Sequence, residues 1–233
     1  MSKLITVTVL LLLIISLPAV LYLVSKQTQF FSKASAGSEP NEIQITNLAD
    51  NSFTVSFTTT AQVPVFIQYG ASESLGFAAT DDQDQSNSSP RFTHHITLKN
   101  LDPETEIYYK INSGGKIFDK SGQPFQQRTA QVVKDTPPLP SPVFGKVIFE
   151  DKSTFKEAVV YLKLKDGQKL SSFIREGGNF LIVLNSARTE NLSSFVSPKA
   201  GDNMKITVRS ANNQIIKETK YSGENKPLSD ITI

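Results

Sequence analysis

The hydrophobic pattern changes character once along the chain. From Leu4 to Val24 there are 21 residues without a charge. Beyond them apolar residues come in short alternating runs separated by turn residues. An apolar run of the first kind predicts a helix of about 31 Å, enough to cross a hydrocarbon core of about 30 Å. A helix is required because lipid offers backbone polar groups no partner. Pro18 removes one helical hydrogen bond, which membrane helices tolerate, and Tyr22 and Lys26 suit the interface. A cleaved signal peptide is the rival reading, but its apolar core is ordinarily only about 7–15 residues with a small-residue site close behind. Here the best such site, Ala34-Ser35-Ala36, lies well past the run. The anchor reading is preferred, and either reading exports the remainder of the chain. Lysines on the two sides of the segment nearly balance, so a large exported C-terminal portion sets the expected orientation.

The alternating runs predict strands. Ile43 and Ile45 alternate with polar residues. Phe53, Val55 and Phe57 share one face, and Thr54, Ser56 and Thr58 the other. Further strands are expected at Val65 to Tyr69, His94 to Leu98, Ile107 to Asn112, Ile117-Phe118 and Gln126 to Thr129. Residues 25–38 read as a polar tether. Residues 132–142, with Pro137, Pro138, Pro140 and Pro142, read as a stiff linker rather than an SH3-type ligand. After it, Gly145, Val147 and Phe149 alternate. So do Ala158, Val160, Leu162 and Leu164, then Phe180, Ile182 and Leu184. Ile206 and Val208, Ile215 and Ile216, and Ile231 and Ile233 complete the series. The expectation is all-β: two consecutive antiparallel β-sandwich (immunoglobulin-like) domains at 39–131 and 143–233, behind one transmembrane helix at 4–24.

Composition narrows the function classes. There is no cysteine, which excludes disulfides, a thiol nucleophile and cysteine metal sites. Tryptophan is absent while phenylalanine is abundant, so phenylalanine must supply the bulk of the cores. The net charge of +2 hides a split. Residues 37–135 carry 7 basic and 12 acidic side chains, and residues 136–233 carry 14 and 10. That asymmetry supports two domains. The lysines are scattered, with no arginine-rich aromatic patch, so nucleic acid is not an expected partner.

The run NSFTVSFTT, then QYG, then HHITLKNLDPETEIYYKI resembles a fibronectin type III domain. It is most similar to the variety that precedes the catalytic domain in purple acid phosphatases. Leu101, Pro103 and Thr105 match that family's turn into its sixth strand. Where the family has a tyrosine two residues after the threonine, this chain has Ile107, and Phe57 stands where the family has a buried tryptophan. The resemblance implies a fold and no catalysis, since no phosphatase domain follows. The order Gly-x-Val, Ala-x-Val-x-Leu, Gly-Asn-Phe-x-Ile-x-Leu in the second half resembles carboxypeptidase regulatory-like domains, which are transthyretin-type sandwiches related to Cna-B repeats. The long loop Asn185 to Asp202 departs from that pattern.

Candidate chemistry is sparse. His94 and His95 are the only histidines, and as strand neighbours they point to opposite faces, so one metal ion cannot easily take both. Either could join a Ser-His-acid set, but no Gly-x-Ser-x-Gly elbow exists. Asp81, Asp82 and Asp84 lack the glycine and terminal glutamate of an EF-hand and read as a solvated loop, with loose calcium binding the rival. The Cna-B resemblance implies a Lys–Asn isopeptide bond, with Lys146 as the available amine, but 228–233 contains no asparagine. Asn87-Ser88-Ser89 and Asn191-Leu192-Ser193 fit the glycosylation sequon. No catalytic, cofactor-binding or metal-ligating residue is assigned, and no cofactor is expected. The expected function is a non-enzymatic, single-pass cell-surface protein with its C-terminal domains extracellular. If the N-terminal segment is cleaved, the protein is instead secreted. Its partners would be the membrane through 4–24 and a protein or carbohydrate held by the loops Gly76 to Arg91 and Asn185 to Asp202. The alternative is a pair of accessory domains that position a surface hydrolase or a secretion or pilus-type complex.

Overall fold

A computed structural model describes residues 37–84, 88–139, 141–150 and 157–233. The segment 4–24 lies outside the described residues, and among those described no helix is long and apolar enough to cross a membrane. Among the described residues all regular structure is β apart from one 3-10 turn, Glu176–Gly178.

The first half forms eight strands. They are β1 (Asn41–Thr46), β2 (Phe53–Val63), β3 (Val65–Gly70), β4 (Phe77–Thr80), β5 (Arg91–Leu98), β6 (Glu106–Ser113), β7 (Lys116–Phe118) and β8 (Phe125–Arg128). One sheet runs β1-β2-β5; the other runs β4-β3-β6-β7, with β8 also on β6. Between them lie Phe53, Val55, Phe57, Ile67, Ile96, Leu98, Ile107, Tyr109 and Ile111, all buried. The two sheets are brought together because each carries one apolar face at period two. A three-stranded sheet packed on a five-stranded one in this way is the layering of a fibronectin-III-like sandwich. The corner into β6 is closed by a hydroxyl other than tyrosine's. Thr129 Oγ1 donates to Asp102 O at 2.6 Å and accepts from Thr105 N at 2.9 Å. Tyr109 instead enters the core, where its ring stacks on Phe125 and burial pushes its phenol up.

The second half adds β9 (Pro142–Ile148), β10 (Val159–Leu164), β11 (Lys169–Phe173), β12 (Asn179–Val183), β13 (Asn203–Arg209), β14 (Gln214–Lys220) and β15 (Ile231–Thr232). A sheet ordered β11-β10-β13-β14 faces a sheet ordered β12-β9-β15. Val143, Val147, Val160, Leu162, Phe180, Ile182, Ile206 and Val208 fill the space between. Not every pairing is antiparallel: β15 runs parallel to β9, Ile231 opposite Val147. Gly178, at φ 80°, must stay bare, because a Cβ there would stand 2.2 Å from the Val147 carbonyl oxygen.

Several elements differ from the sequence expectation. β4 lies inside the stretch expected to be a loop, Gly76 to Arg91, because Phe77 pairs with Tyr69 across the ladder although its pattern is too short to signal a strand. β11 was not anticipated either, since Leu170 is its one clearly apolar inward residue. Pro142 opens β9 instead of closing the linker, at the first position of a strand, where its missing N–H does little harm. Lys146 is exposed in β9, so it lacks the desolvation an isopeptide-forming amine requires.

Candidate functional site

The most informative departure is in β2. Its residues Phe53 to Thr59 are buried on both faces, the hydroxyl face included. Thr54, Ser56 and Thr58 do not meet solvent, because the second sandwich covers the outer face of the β1-β2-β5 sheet. The same holds for β5, where Thr93 to Ile96 are all buried. Threonine is at home on a strand face of either kind, so three uncharged hydroxyl residues do not by themselves show that another surface covers the face.

His94 and His95 point to opposite faces as strand geometry requires. His94 enters the first core, its ring 4.9 Å from that of Phe57 and its Nε2 3.3 Å from Thr59 Oγ1. Its Nδ1 lies 3.4 Å from Asp81 Oδ2 without hydrogen-bond alignment. His95 faces the other sandwich. Its Nδ1 is 2.8 Å from Asp82 Oδ2, and its Nε2 is 2.9 Å from Ser171 Oγ on β11. Asp82 also accepts from Thr97 Oγ1 at 2.5 Å and from Thr97 N at 3.3 Å. Burial pushes the Asp82 carboxyl up, but the hydrogen bonds from His95 and Thr97 outweigh it and hold the group below the ordinary carboxylate value.

Carboxylate, imidazole and hydroxyl thus stand in the order that acyl-transfer triads use. The remaining geometry serves another purpose. Ser171 Oγ is also 2.6 Å from Thr46 Oγ1 and 3.3 Å from Asn47 Nδ2. Asn47 Oδ1 accepts from Ser171 N at 2.9 Å, and Asn47 Nδ2 donates to Ser171 O at 3.1 Å. The serine N–H that could help stabilise an oxyanion is therefore already held, and the hydroxyl is saturated and buried. In the neutral imidazole, Nδ1–H donates to Asp82, so Nε2 accepts from the Ser171 hydroxyl, whose oxygen accepts from Thr46 and Asn47. Every donor then has an acceptor. The result is a directional chain that locks one sandwich to the other.

The lock extends along the junction. Asn47 N donates to Lys169 O and Leu48 N to Gln168 Oε1, so the end of β1 seals the edge of β11. Ser56 Oγ and Tyr161 OH are 3.0 Å apart. Glu157 Oε2 accepts from Phe92 N and Thr93 N. Arg188 Nη2 reaches Asp50 Oδ1 at 3.0 Å, with its guanidinium over the Phe195 ring. Clefts flank the junction. One, of about 920 Å³, is lined by Asp82, Arg91, Glu157, Phe173 and Arg175. Another, of about 530 Å³, is lined by Asn47, Asp50, His95, Ser171 and Arg188.

The structure gives both candidate binding loops internal bonds. Asp81, Asp82 and Asp84 do not form a solvated loop. Asp81 accepts from Gln83 N and His95 N, Asp82 holds His95, and Asp84 pairs with Arg91. No metal-binding group of three or more histidine, cysteine or acidic residues occurs among the described residues. The loop Asn185 to Asp202 is tied down through Arg188. Within it, Asn191 Oδ1 accepts from Ser193 N at 3.2 Å and Ser193 Oγ at 2.8 Å. Asn47, Gln168, Ser171 and Arg188 are the residues sequence reasoning missed; each is an ordinary loop or strand residue until the opposing sandwich is in place.

Comparison with known proteins agrees with the first sandwich. Residues 39–129 match the family described as the purple acid phosphatase N-terminal domain. No curated protein sequence is significantly similar to the chain. Among solved structures, the chicken CNTN1 FN1-FN3 domains match over 84% of this chain and 68% of theirs, at 11% identity and a TM-score of 0.26. At that score the overlay carries no argument, and the fold rests on the strand order. The segment 39–129 is thus similar to a domain that is itself non-catalytic in its parent enzymes, and the match does not extend to the second sandwich.

Proposed function

We propose that the protein is a non-enzymatic, membrane-anchored surface protein whose two β-sandwiches are presented as one stiff arm. The observation that carries this reading is the buried hydroxyl face of β2 and β5, closed by the chain Asp82–His95–Ser171. A junction built from side chains of both sandwiches fixes their relative orientation, and the carboxylate–imidazole–hydroxyl set of Asp82, His95 and Ser171 is used up in doing so. The uncharged Leu4–Val24 stretch supports attachment to the cell membrane, with 25–38 as the tether and the sandwiches outside. The partner, protein or carbohydrate, then meets the outward surfaces and clefts of the arm, including the exposed parts of the loops 76–91 and 185–202. The test is alkaline carbonate extraction of membranes followed by external protease. The chain is expected in the pellet with its sandwiches cleavable from outside, and soluble recovery of a product starting near residue 37 would favour secretion. A second reading, accessory domains that position a hydrolase or secretion complex, is favoured by the match of 39–129 to the domain that precedes a phosphatase catalytic domain. It is tested by whether a hydrolase is cross-linked to the chain in native membranes.

A further inference from the structure

The outer face of the second large sheet carries a charge pattern that the fold does not explain. On β10, Lys163 lies directly opposite Lys169 of β11 on one side and Lys205 of β13 on the other. Three lysines therefore stand in one row across three neighbouring antiparallel strands, and residues so opposed share a face about 5 Å apart. Like charges directly opposite destabilise a sheet. The face does little to neutralise them. Lys163 pairs with Glu190 at 2.8 Å, in a contact where the Glu190 side chain is largely exposed. Lys169 donates to the neutral Gln44 Oε1. Lys205 stands opposite Glu218 in register but forms no ion pair with it among the described residues. Two steps along the face, Arg209 pairs with Glu42 from the first sandwich.

These residues do not lie on a convex surface. Lys163, Lys169, Lys205 and Arg209 line one cleft of about 420 Å³, roofed by Glu42 and Gln44 of β1 and floored by Tyr161 and Thr207. Four cations and one carboxylate line it, with Thr207 and Gln214 as neutral donors and acceptors. Its size falls within the range of small-molecule sites. Ammonium groups on flexible stems around a cleft are suited to a compact, multiply charged oxyanion, which they meet as point charges. The Arg209 side chain is only 14% exposed, so a ligand must enter to reach it, as the flat headgroup plane of a bilayer cannot.

We propose that this cleft binds a soluble small molecule bearing a phosphate-type polyanion. The cost of opposing like charges in the empty sheet is then offset when the anion is bound. The proposal deepens the binding role given above and rests on the docked arrangement of the two sandwiches, because Glu42 and Gln44 come from the first.

The probe is inorganic pyrophosphate, titrated calorimetrically into the full chain in discs of zwitterionic lipid at low ionic strength. One saturable site per chain is expected. Lys205→Gln should weaken it about tenfold, the loss of one charge-assisted contact, and Lys163→Gln combined with Lys205→Gln should weaken it further. Both unliganded variants should melt at or above the parent temperature, since each removes a repulsion. Absence of saturable binding, or affinity unchanged in the double variant, overturns the proposal. If the cleft lysines are protected from acylation by discs of anionic lipid but not by pyrophosphate, the ligand is a headgroup and the assignment to a soluble molecule is wrong. Membrane attachment is read separately by carbonate extraction, so a failed titration and a failed anchor are told apart.

Discussion

Asp82 shows how much of the junction depends on one carboxylate. It accepts from His95 Nδ1 and from both donors of Thr97, and so orients the ring that in turn orients Ser171. A carboxyl whose pKa is lowered on folding contributes stability that is fully present above its ordinary value of 3.8 and is lost as the pH falls through the lowered value. The parent protein is therefore expected to lose stability steeply below about pH 4. Asp82→Asn should be less stable at neutral pH and should show a shallower acid limb, measured by urea denaturation across pH. An acid limb identical to the parent's would mean that Asp82 is not held low. At this scale the sequence was least informative. Asp82 reads as one member of a loose acidic loop, and Ser171 as one hydroxyl among many, because neither partner is near the other in the chain.

Among the elements, the apolar strand faces were legible and the polar ones were not. Phe53, Val55 and Phe57 announce an inward face by period alone, and Ile96 and Leu98 do the same for β5. The opposite faces are read by default as solvent-facing, and nothing in a two-residue period separates water from a second sandwich. β4 and β11 were hidden for a related reason: each is short, and each is fixed by its pairing partner more than by its own residues. The corner into β6 illustrates substitution of one device by another. With Ile107 in place of a corner tyrosine, Thr129 supplies the bond to Asp102 O. Thr129→Val keeps the shape and removes the hydroxyl, leaving Thr105 N and Asp102 O without that partner. A loss of about 1–3 kcal/mol is expected in urea unfolding, with little change from Tyr109→Phe, whose phenol is buried but not part of the corner.

For the whole molecule, two separate apolar clusters would ordinarily unfold independently. The junction couples them. The parent is expected to show one calorimetric transition, and the pair His95→Ala with Ser171→Ala should split it into two, each sandwich retaining its own strand spectrum. Two transitions already present in the parent would show the contact to be too weak to couple them. The Pro-rich connection is then less a device for setting distance than a short tie between bodies already held together. Arg188 with Asp50 at one end of the junction, and Glu157 with the backbone of β5 at the other, keep the contact from rocking about the central serine.

The polar character of that junction has a thermal consequence. Hydrating apolar surface raises heat capacity, and hydrating polar surface lowers it. Separating the sandwiches exposes hydroxyl, amide, imidazole and carboxylate groups together with Val159, Tyr161 and Phe173, so undocking carries a smaller heat-capacity change than melting either core. The free energy of docking is correspondingly flat with temperature. In the cold, where hydrophobic cores weaken, the joint between the two sandwiches keeps its strength better than the sandwiches themselves.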